Sequence, residues 1–200
     1  HQAAEAPVPA VEEIVALADH PKVVGIGEAG LDYHYDRAPR DIAAEVFRRQ
    51  IRAARITGLP LVIHARDADA DLAAILKDEH EQGGAFPFVL HCFSSGRALA
   101  ETGVALGRSG SFSGILTFKR SDDLRALARD LPAERLLVET DAPFLAPEPY
   151  RGKRCEPAMV AHTAAALAAV RGMSAPALAE LTTANATRLF TRLRLPATAL

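Results

Sequence analysis

The chain has 200 residues, a formal net charge of −2 and 49% hydrophobic residues, which is typical of one globular domain with a substantial core. The near-zero charge excludes a global positive field for nucleic acids, so phosphate binding would require a local cluster of cations or bound metal ions. The two cysteines fit neither a disulfide framework nor a zinc finger, and they indicate a reducing, cytoplasmic location. No apolar run approaches the roughly 20 residues of a membrane helix, so no membrane association is expected.

Short apolar runs alternate with helical stretches along the chain. The runs are rich in Val, Ile, Leu and Phe without alternating polar residues, as is typical of strands covered on both faces. In chain order, the sequence predicts strand 23–27, helix 41–57, strand 59–64, helix 68–82, strand 86–91, helix 96–106, strand 109–113, helix 122–130, strand 136–139, and helices 156–170 and 175–189. Ser174 is the predicted N-cap of the last helix. The alternation predicts a parallel sheet with helices outside it, and leaves a barrel and a doubly wound sheet both open.

Ionisable side chains stand at or just beyond the carboxyl ends of four predicted strands. They are Glu28, His64, His91 and the pair Glu139 and Asp141. A single histidine at a strand end is more often a hydrogen-bonded structural residue than a ligand, but four such ends would meet at one rim of a barrel. Burying these groups is costly unless something compensates for it, and carboxylates and imidazoles are good ligands for divalent cations. The sequence therefore predicts a metal site.

These residues lie in short motifs that resemble the TatD family of metal-dependent deoxyribonucleases, within the amidohydrolase-like barrel superfamily. The motifs are GIGEAGLDY at 25–33, VIHAR at 62–66, HCFS at 91–94, LVETDAP at 137–143, PYRGKR at 149–154 and NATRLF at 185–190. Each would be weak alone, but they follow the family's order and span almost all of the chain.

The resemblance implies a TIM-type (β/α)8 barrel, of which residues 1–200 supply about five strand–helix units as a single hydrolase domain. It also implies two divalent metal ions, with Mg, Mn and Zn all possible. Glu28 would bridge the two ions, while His64 and His91 would complete one site. Asp141 would serve the other site and lie near the attacking water, so Glu28 and Asp141 are the predicted catalytic residues.

The same resemblance places Tyr33, Arg66 and the loop with Arg151, Lys153 and Arg154 towards the substrate. Lys119 follows the fourth predicted strand and adds a further cation near the rim. Loops of this kind can hold phosphates. The predicted partner is therefore DNA, as single strands or ends, and no obligate protein partner is evident.

The sequence departs from the family pattern at two places. The family begins with a strand that ends in His-x-His, and no such pair occurs in these 200 residues. Since only five strands are predicted where a barrel needs eight, we expect about 60–70 further residues upstream. The other departure is Cys155, which stands where the family usually has Asn; this thiol and that of Cys92 are expected to be packed structural groups.

Three functions are compatible with these residues. The first is metal-dependent hydrolysis of DNA phosphodiesters by an exonuclease that prefers single-stranded ends and uses metal-activated water. The second is hydrolysis of an amide, an ester or a lactone on the same barrel, because a fold does not determine its substrate. The third is an inactive, truncated barrel that only binds a partner.

Overall fold

The structure is a computed structural model that describes residue 3 and residues 7–194. Seven helices and five strands follow one another in these residues. They are α1 (Val11–Ala18), β1 (Ile26–Asp32), α2 (Arg40–Thr57), β2 (Leu61–Arg66), α3 (Asp69–Gly83), β3 (Phe88–Leu90), α4 (Arg97–Ala105), β4 (Ser109–Phe112), α5 (Asp122–Asp130), β5 (Leu136–Val138), α6 (Val160–Arg171) and α7 (Ala175–Leu189). Short 3-10 turns lie at Gly114–Thr117, Ala133–Arg135 and Pro157–Met159.

The five strands form one sheet in the order β1-β2-β3-β4-β5, and every neighbouring pair is parallel. Helix α2 packs on β1 and β2, α3 packs on β2, and α6 and α7 pack on β5. The predicted parallel sheet with intervening helices is therefore confirmed. Because the strands are parallel and in chain order, their carboxyl ends all meet along the same edge of the sheet.

The predicted end of the first strand is wrong. The apolar run ends at Gly27, but β1 continues to Asp32 because Ala29 and Leu31 are fully buried in the core. Its pairing with β2 shifts between Ile26 and Ala29, as in a β-bulge. Glu28 consequently lies inside the strand, at this irregularity, and not beyond its end.

Gly30 allows β1 and β2 to approach each other closely. It pairs with His64, it has a φ of 112°, and a Cβ atom added to it would lie 2.1 Å from the carbonyl oxygen of His64. Only glycine tolerates both that φ and that distance. The position of His64 relative to β1 therefore depends on the missing side chain at residue 30.

The other boundaries of the predicted elements agree within two residues, apart from the start of β1, which lies three residues later than predicted, and the start of α6. The predicted strands 86–91 and 136–139 are shorter in the structure, so His91 and Glu139 follow β3 and β5 directly. The predicted helix 156–170 opens with a 3-10 turn and becomes α-helical at Val160. Ser174 is confirmed as the N-cap of α7, since its side chain accepts a hydrogen bond from the backbone N–H of Ala177. Among the described residues, no helix has the length and apolar character needed to cross a lipid bilayer.

A buried carboxylate joins α2 to α3. The side chain of Glu79 in α3 is almost fully buried and forms ion pairs with Arg48, Arg52 and Arg55 of α2, with N–O distances of 3.3, 3.0 and 3.3 Å. A buried charge of this kind is tolerated only when it is paired and hydrogen-bonded. These contacts fix the two helices that cover β1 and β2.

Asn185 attaches α7 to the sheet. Its side chain is 2% exposed, and its Nδ2 donates hydrogen bonds to the carbonyl oxygens of Ala133 and Leu136 at 2.8 and 2.9 Å. Both carbonyls belong to the segment that leads into β5. The first residue of the NATRLF motif therefore has a structural role in holding the strand that precedes Asp141.

We expect Asn185→Ala to lower the free energy of unfolding by about 1–3 kcal/mol, because two carbonyl oxygens lose their donor in a buried setting. Asn185→Asp should be at least as destabilising, since a carboxylate cannot donate to either carbonyl. Urea unfolding followed by circular dichroism would measure the change. Thr183→Ala, at an exposed position of the same helix, is the matched control. Equal stability of both variants and the native protein would contradict this role for Asn185.

Candidate metal centre

The predicted metal ligands come together at the carboxyl-end edge of the sheet. Glu28 projects from the irregular part of β1, His64 lies in β2 and His91 follows β3. Potential ligand atoms of these three residues all lie within 4.8 Å of one another. A second group, formed by His91, Glu139 and Asp141, meets the same limit. His91 belongs to both groups, so they are adjacent parts of one centre.

Glu28 stands between the two imidazoles. Its Oε1 atom is 2.9 Å from Nδ1 of His64 and 2.8 Å from Nε2 of His91, and the ring centroids of the two histidines are 6.0 Å apart. One carboxylate oxygen and two imidazole nitrogens facing a common point are a donor set that suits a divalent transition metal.

A carboxylate lies on the far side of each imidazole. Oδ2 of Asp32 is 2.9 Å from Nε2 of His64, and Oε1 of Glu139 is 3.1 Å from Nδ1 of His91. Accepting a proton from these nitrogens would leave Nδ1 of His64 and Nε2 of His91 as the lone-pair nitrogens that face Glu28. Carboxylate–histidine pairs of this kind orient metal-ligating imidazoles. The structure therefore adds Asp32 and Glu139 as positioning residues.

The contacts of Asp32 and Glu139 with the imidazoles could not be predicted from the sequence. Asp32 stands in the GIGEAGLDY motif, Glu139 stands in the LVETDAP motif, and both follow apolar residues. The available signal was the spacing of Glu139 two residues before Asp141, and of Asp32 four residues after Glu28. Spacing alone cannot show which side of an imidazole a carboxylate occupies, because that depends on the pairing of distant strands.

The charges of the centre hold its groups in different protonation states. Burial raises the pKa of Glu28, but hydrogen bonds and charges from His64 and His91 outweigh it and hold that pKa well below its usual range. Burial lowers the pKa of His91, yet Glu139 and Glu28 reverse this and raise it to about 10. Burial raises the pKa of Asp141, and the charges of Glu139 and Glu28 add to this rise while His91 opposes it. Glu28 is thus ionised at neutral pH, and Asp141 binds a proton more readily than an ordinary aspartate.

A cavity of about 620 Å³ opens onto the centre. Its wall includes all four predicted metal ligands, together with Asp32, Tyr35, Arg37, Arg66, Cys92 and Phe144. Four carboxylates and two imidazoles therefore meet in or beside one cavity that also carries two guanidinium groups. The excess of carboxylates favours a bound cation, and the arginines favour an anionic substrate.

The predicted substrate-binding residues differ in their positions. Arg66 lines the cavity, whereas Tyr33, Lys119, Arg151, Lys153 and Arg154 are outside the lining formed by the described residues. The hydroxyl of Tyr33 donates to Asp71 at 2.6 Å. Arg151 lies over the ring of Phe118, with its guanidinium carbon 4.2 Å from the ring centroid. Substrate contact by these outer residues stays a prediction.

The two cysteines are packed groups. Cys155 is 3% exposed, and burial raises its pKa. Burial raises the pKa of Cys92 to about 12, while its thiol donates to Oγ of Ser113 at 3.2 Å. A thiol that stays protonated at neutral pH is a poor nucleophile and a poor metal ligand. Both cysteines therefore fit the packed structural groups expected from the sequence.

The arrangement of strands and helices matches solved TatD structures. The crystal structure of YJJV, a TatD homologue from Escherichia coli K12, superposes with a TM-score of 0.81 at 30% sequence identity, over 93% of this chain and 70% of that chain. A TatD-family hydrolase from Entamoeba histolytica superposes with a TM-score of 0.77 at 21% identity, over 92% and 69% of the two chains. The fold is thus the predicted TIM-type α/β barrel, to which the described residues contribute five strands.

Sequence comparison gives the same assignment. A family model described as TatD related DNase matches residues 1–191. Bacillus subtilis YabD, named as an uncharacterized metal-dependent hydrolase, is 44% identical over 179 residues, which are 88% of this chain and 69% of YabD. Escherichia coli YcfH, named likewise, is 44% identical over 182 residues, which are 90% of this chain and 67% of YcfH. A Rahnella protein named 3'-5' ssDNA/RNA exonuclease TatD is 36% identical over 197 residues, which are 95% of this chain and 73% of that protein.

A barrel fold with carboxylates and imidazoles that could hold a metal ion near the carboxyl ends of its strands is typical of a metal-dependent hydrolase. With a family match over nearly its whole length, the chain belongs to the TatD-related DNase family. The family membership predicted from the sequence motifs is thereby confirmed.

We expect metal binding at His91 to release a proton at neutral pH. The pKa of about 10 keeps this imidazole doubly protonated in the metal-free protein, and Nε2 must lose its proton to bind a cation. The affinity for Zn²⁺ should therefore rise by up to about tenfold per pH unit below that pKa. Isothermal titration calorimetry in two buffers with different protonation enthalpies would count the released protons. His91→Gln should bind Zn²⁺ more weakly and release about one proton fewer, and unchanged proton release would contradict the assignment.

Proposed function

We propose that this metal-dependent hydrolase cleaves phosphodiester bonds in DNA, as an exonuclease that prefers single-stranded ends. The observation that carries the proposal is the cavity in which the carboxylate–imidazole centre and the guanidinium groups of Arg37 and Arg66 share one wall. The centre supplies ligands for cations, and the arginines complement an anionic substrate. The description of the family as a DNase and the exonuclease name of the Rahnella relative support this choice.

The donor set fits two divalent ions. Glu28, His64 and His91 would hold one ion, and the nearby carboxylate of Asp141 would contribute to holding a second ion. Two such ions lower the pKa of an attacking water and stabilise negative charge on the attacking and leaving oxygens of a phosphodiester. Imidazole ligands favour Zn or Mn, whereas a carboxylate-rich site also accepts Mg.

The side chains of the cavity would have different roles in the reaction. Asp141, whose pKa is raised, accepts the proton of the attacking water on a carboxylate oxygen as the new P–O bond forms. The P–O bond to the sugar oxygen breaks in exchange, and that leaving oxygen takes up a proton from solvent water. Glu28 stays ionised because of its two imidazole neighbours, so it compensates cationic charge throughout. Asp32 and Glu139 hold the two imidazoles in the orientation that ligation needs. Arg66 binds a phosphate oxygen of the substrate and orients it in the cavity.

We expect the protein to shorten end-labelled single-stranded DNA in the presence of Mg²⁺ or Mn²⁺, and EDTA should abolish the reaction. Glu28→Ala should lower kcat/KM by at least about a hundredfold, because the carboxylate shared between the ligand imidazoles is lost. Products resolved on a denaturing gel measure the effect. Glu81→Ala, which removes an exposed carboxylate on α3, is the control. Metal binding without cleavage of any DNA substrate would refute the nuclease activity.

Arg66 provides a second test, which separates phosphodiester hydrolysis from amide, ester or lactone hydrolysis. Arg66→Gln should raise KM for DNA and make the slope of log KM against log salt concentration shallower by about 0.7, as expected for one lost phosphate contact. It should leave hydrolysis of a small neutral ester, if any occurs, nearly unchanged. Lys77→Gln removes an exposed cation on α3 and is the matched control. Equal losses on DNA and on the neutral ester would argue against a phosphate contact.

A further inference from the structure

Two large aromatic side chains in the cavity wall are exposed. Tyr35 is 57% exposed and Phe144 is 67% exposed, although both line the cavity that contains the predicted metal ligands. Most large apolar side chains of the described chain are packed in the core. Exposed aromatic surface at a concave site is typical of a binding surface.

Tyr35 lies among cations. The guanidinium carbons of Arg37 and Arg66 are each 5.1 Å from the centroid of its ring, which is within the range of cation–π attraction. A tyrosine ring next to two guanidinium groups combines a flat apolar surface with positive charge. The flat apolar ring can stack on the planar base of a nucleotide, and the positive charge can pair with its anionic phosphate.

Asp32 fixes Tyr35 relative to the metal centre. Its Oδ1 atom accepts hydrogen bonds from the backbone N–H groups of His34 and Tyr35 at 3.0 and 2.9 Å. Its Oδ2 atom contacts Nε2 of His64 at 2.9 Å. A single carboxylate, with its side chain 5% exposed, therefore holds both a predicted ligand imidazole and the turn that carries the tyrosine.

Phe144 is held close to Asp141, the predicted metal ligand that follows β5. Its backbone N–H donates to the carbonyl oxygen of Asp141 at 2.7 Å, so the ring follows a predicted metal ligand by one tight turn. The next residues are packed against the backbone of the 3-10 turn after β4, because a Cβ atom on Gly114 would lie 2.1 Å from the carbonyl oxygen of Leu145. Glu148 adds a hydrogen bond from its backbone N–H to Oγ1 of Thr117 at 2.8 Å.

The two rings therefore follow β1 and β5, which are the first and last strands of the sheet order, and each is anchored to a residue of the metal centre. We propose that Tyr35 and Phe144 are stacking platforms for unpaired nucleobases, and that they position the terminal phosphodiester of a single strand at the metal centre. The ligand class is a single-stranded oligonucleotide, and the inference rests on the proposed nuclease function.

The same geometry explains why single strands would be preferred. Bases in a duplex are paired and stacked on one another, so they are available to a protein ring only after they unstack, at a cost of a few kcal/mol. Bases at a single-stranded end are free to stack on aromatic side chains, and this contact tolerates any sequence because every base has a π face. A small ester or lactone would use neither ring.

The test measures binding separately from turnover. Fluorescence anisotropy with labelled oligothymidylate that ends in phosphorothioate linkages, in the presence of Mg²⁺, reports affinity without cleavage. Tyr35→Ala and Phe144→Ala should each weaken binding by about 5- to 150-fold, as expected for one lost base–ring contact. Tyr35→Phe and Phe144→Tyr should remain within about threefold of the native protein, since each keeps an aromatic ring. Ile56→Ala, at a side chain that is 66% exposed and outside the cavity, should have no effect.

A base-free ligand separates stacking from other causes. The native protein should bind an oligonucleotide with abasic residues at its end as weakly as the alanine variants bind the intact one, and the variants should lose nothing further on it. Undetectable binding of intact oligothymidylate by the native protein, unchanged binding by both alanine variants, or equal losses on intact and abasic ligands would overturn the proposal. Base-dependent binding without metal-dependent cleavage would support the stacking platforms and refute the nuclease activity. Metal-dependent cleavage with base-independent binding would support the nuclease activity and refute the stacking platforms.

Discussion

The contact of one Glu28 oxygen with two imidazole nitrogens is the interaction on which the site depends. It brings together residues in or directly after three neighbouring strands, and Glu28 lies where the pairing of β1 with β2 shifts between Ile26 and Ala29. Parallel strands place their carboxyl ends along one edge, so this fold brings the ionisable groups of β1, β2 and β3 together there. The absence of a side chain at Gly30 then lets His64 approach from the adjacent strand.

Four carboxylates lie at or around the contact between Glu28 and the two imidazoles. Glu28, Asp32 and Asp141 line the cavity. Asp32 and Glu139 contact the imidazole nitrogens of His64 and His91 that point away from Glu28. The four carboxylates are chemically alike, and their neighbours make them different. The pKa of Glu28 is lowered by two imidazoles, while burial and nearby anions raise that of Asp141. Environment therefore gives chemically alike carboxylates different affinities for a proton.

The sequence predicts the part of this structure that depends on local signals. Helix ends at Gly58 and the cap at Ser174 agree with the structure because their causes lie within a few residues. The predicted end of β1 is wrong because a β-bulge depends on pairing with a distant strand. The grouping of Glu28, His64 and His91 could be predicted from their places at strand ends, but the orienting carboxylates could not, since only the folded chain shows which nitrogen each one faces. The motif predicts substrate contact by Tyr33, which stays a prediction; in the structure its hydroxyl donates to Asp71, and Tyr35 lines the cavity.

The two oxygens of Asp32 have a further thermodynamic consequence. One holds the ring of His64 and the other holds the turn of Tyr35, so an event at either end acts on the same side chain. If a base settling on the tyrosine stiffens that turn, it also stiffens the imidazole, and ion affinity rises. Linkage then requires the reverse effect to have the same size, so the bound ion strengthens base binding by the same factor. The carboxylate of Asp32 would thereby set the cooperativity between the ion and the nucleotide.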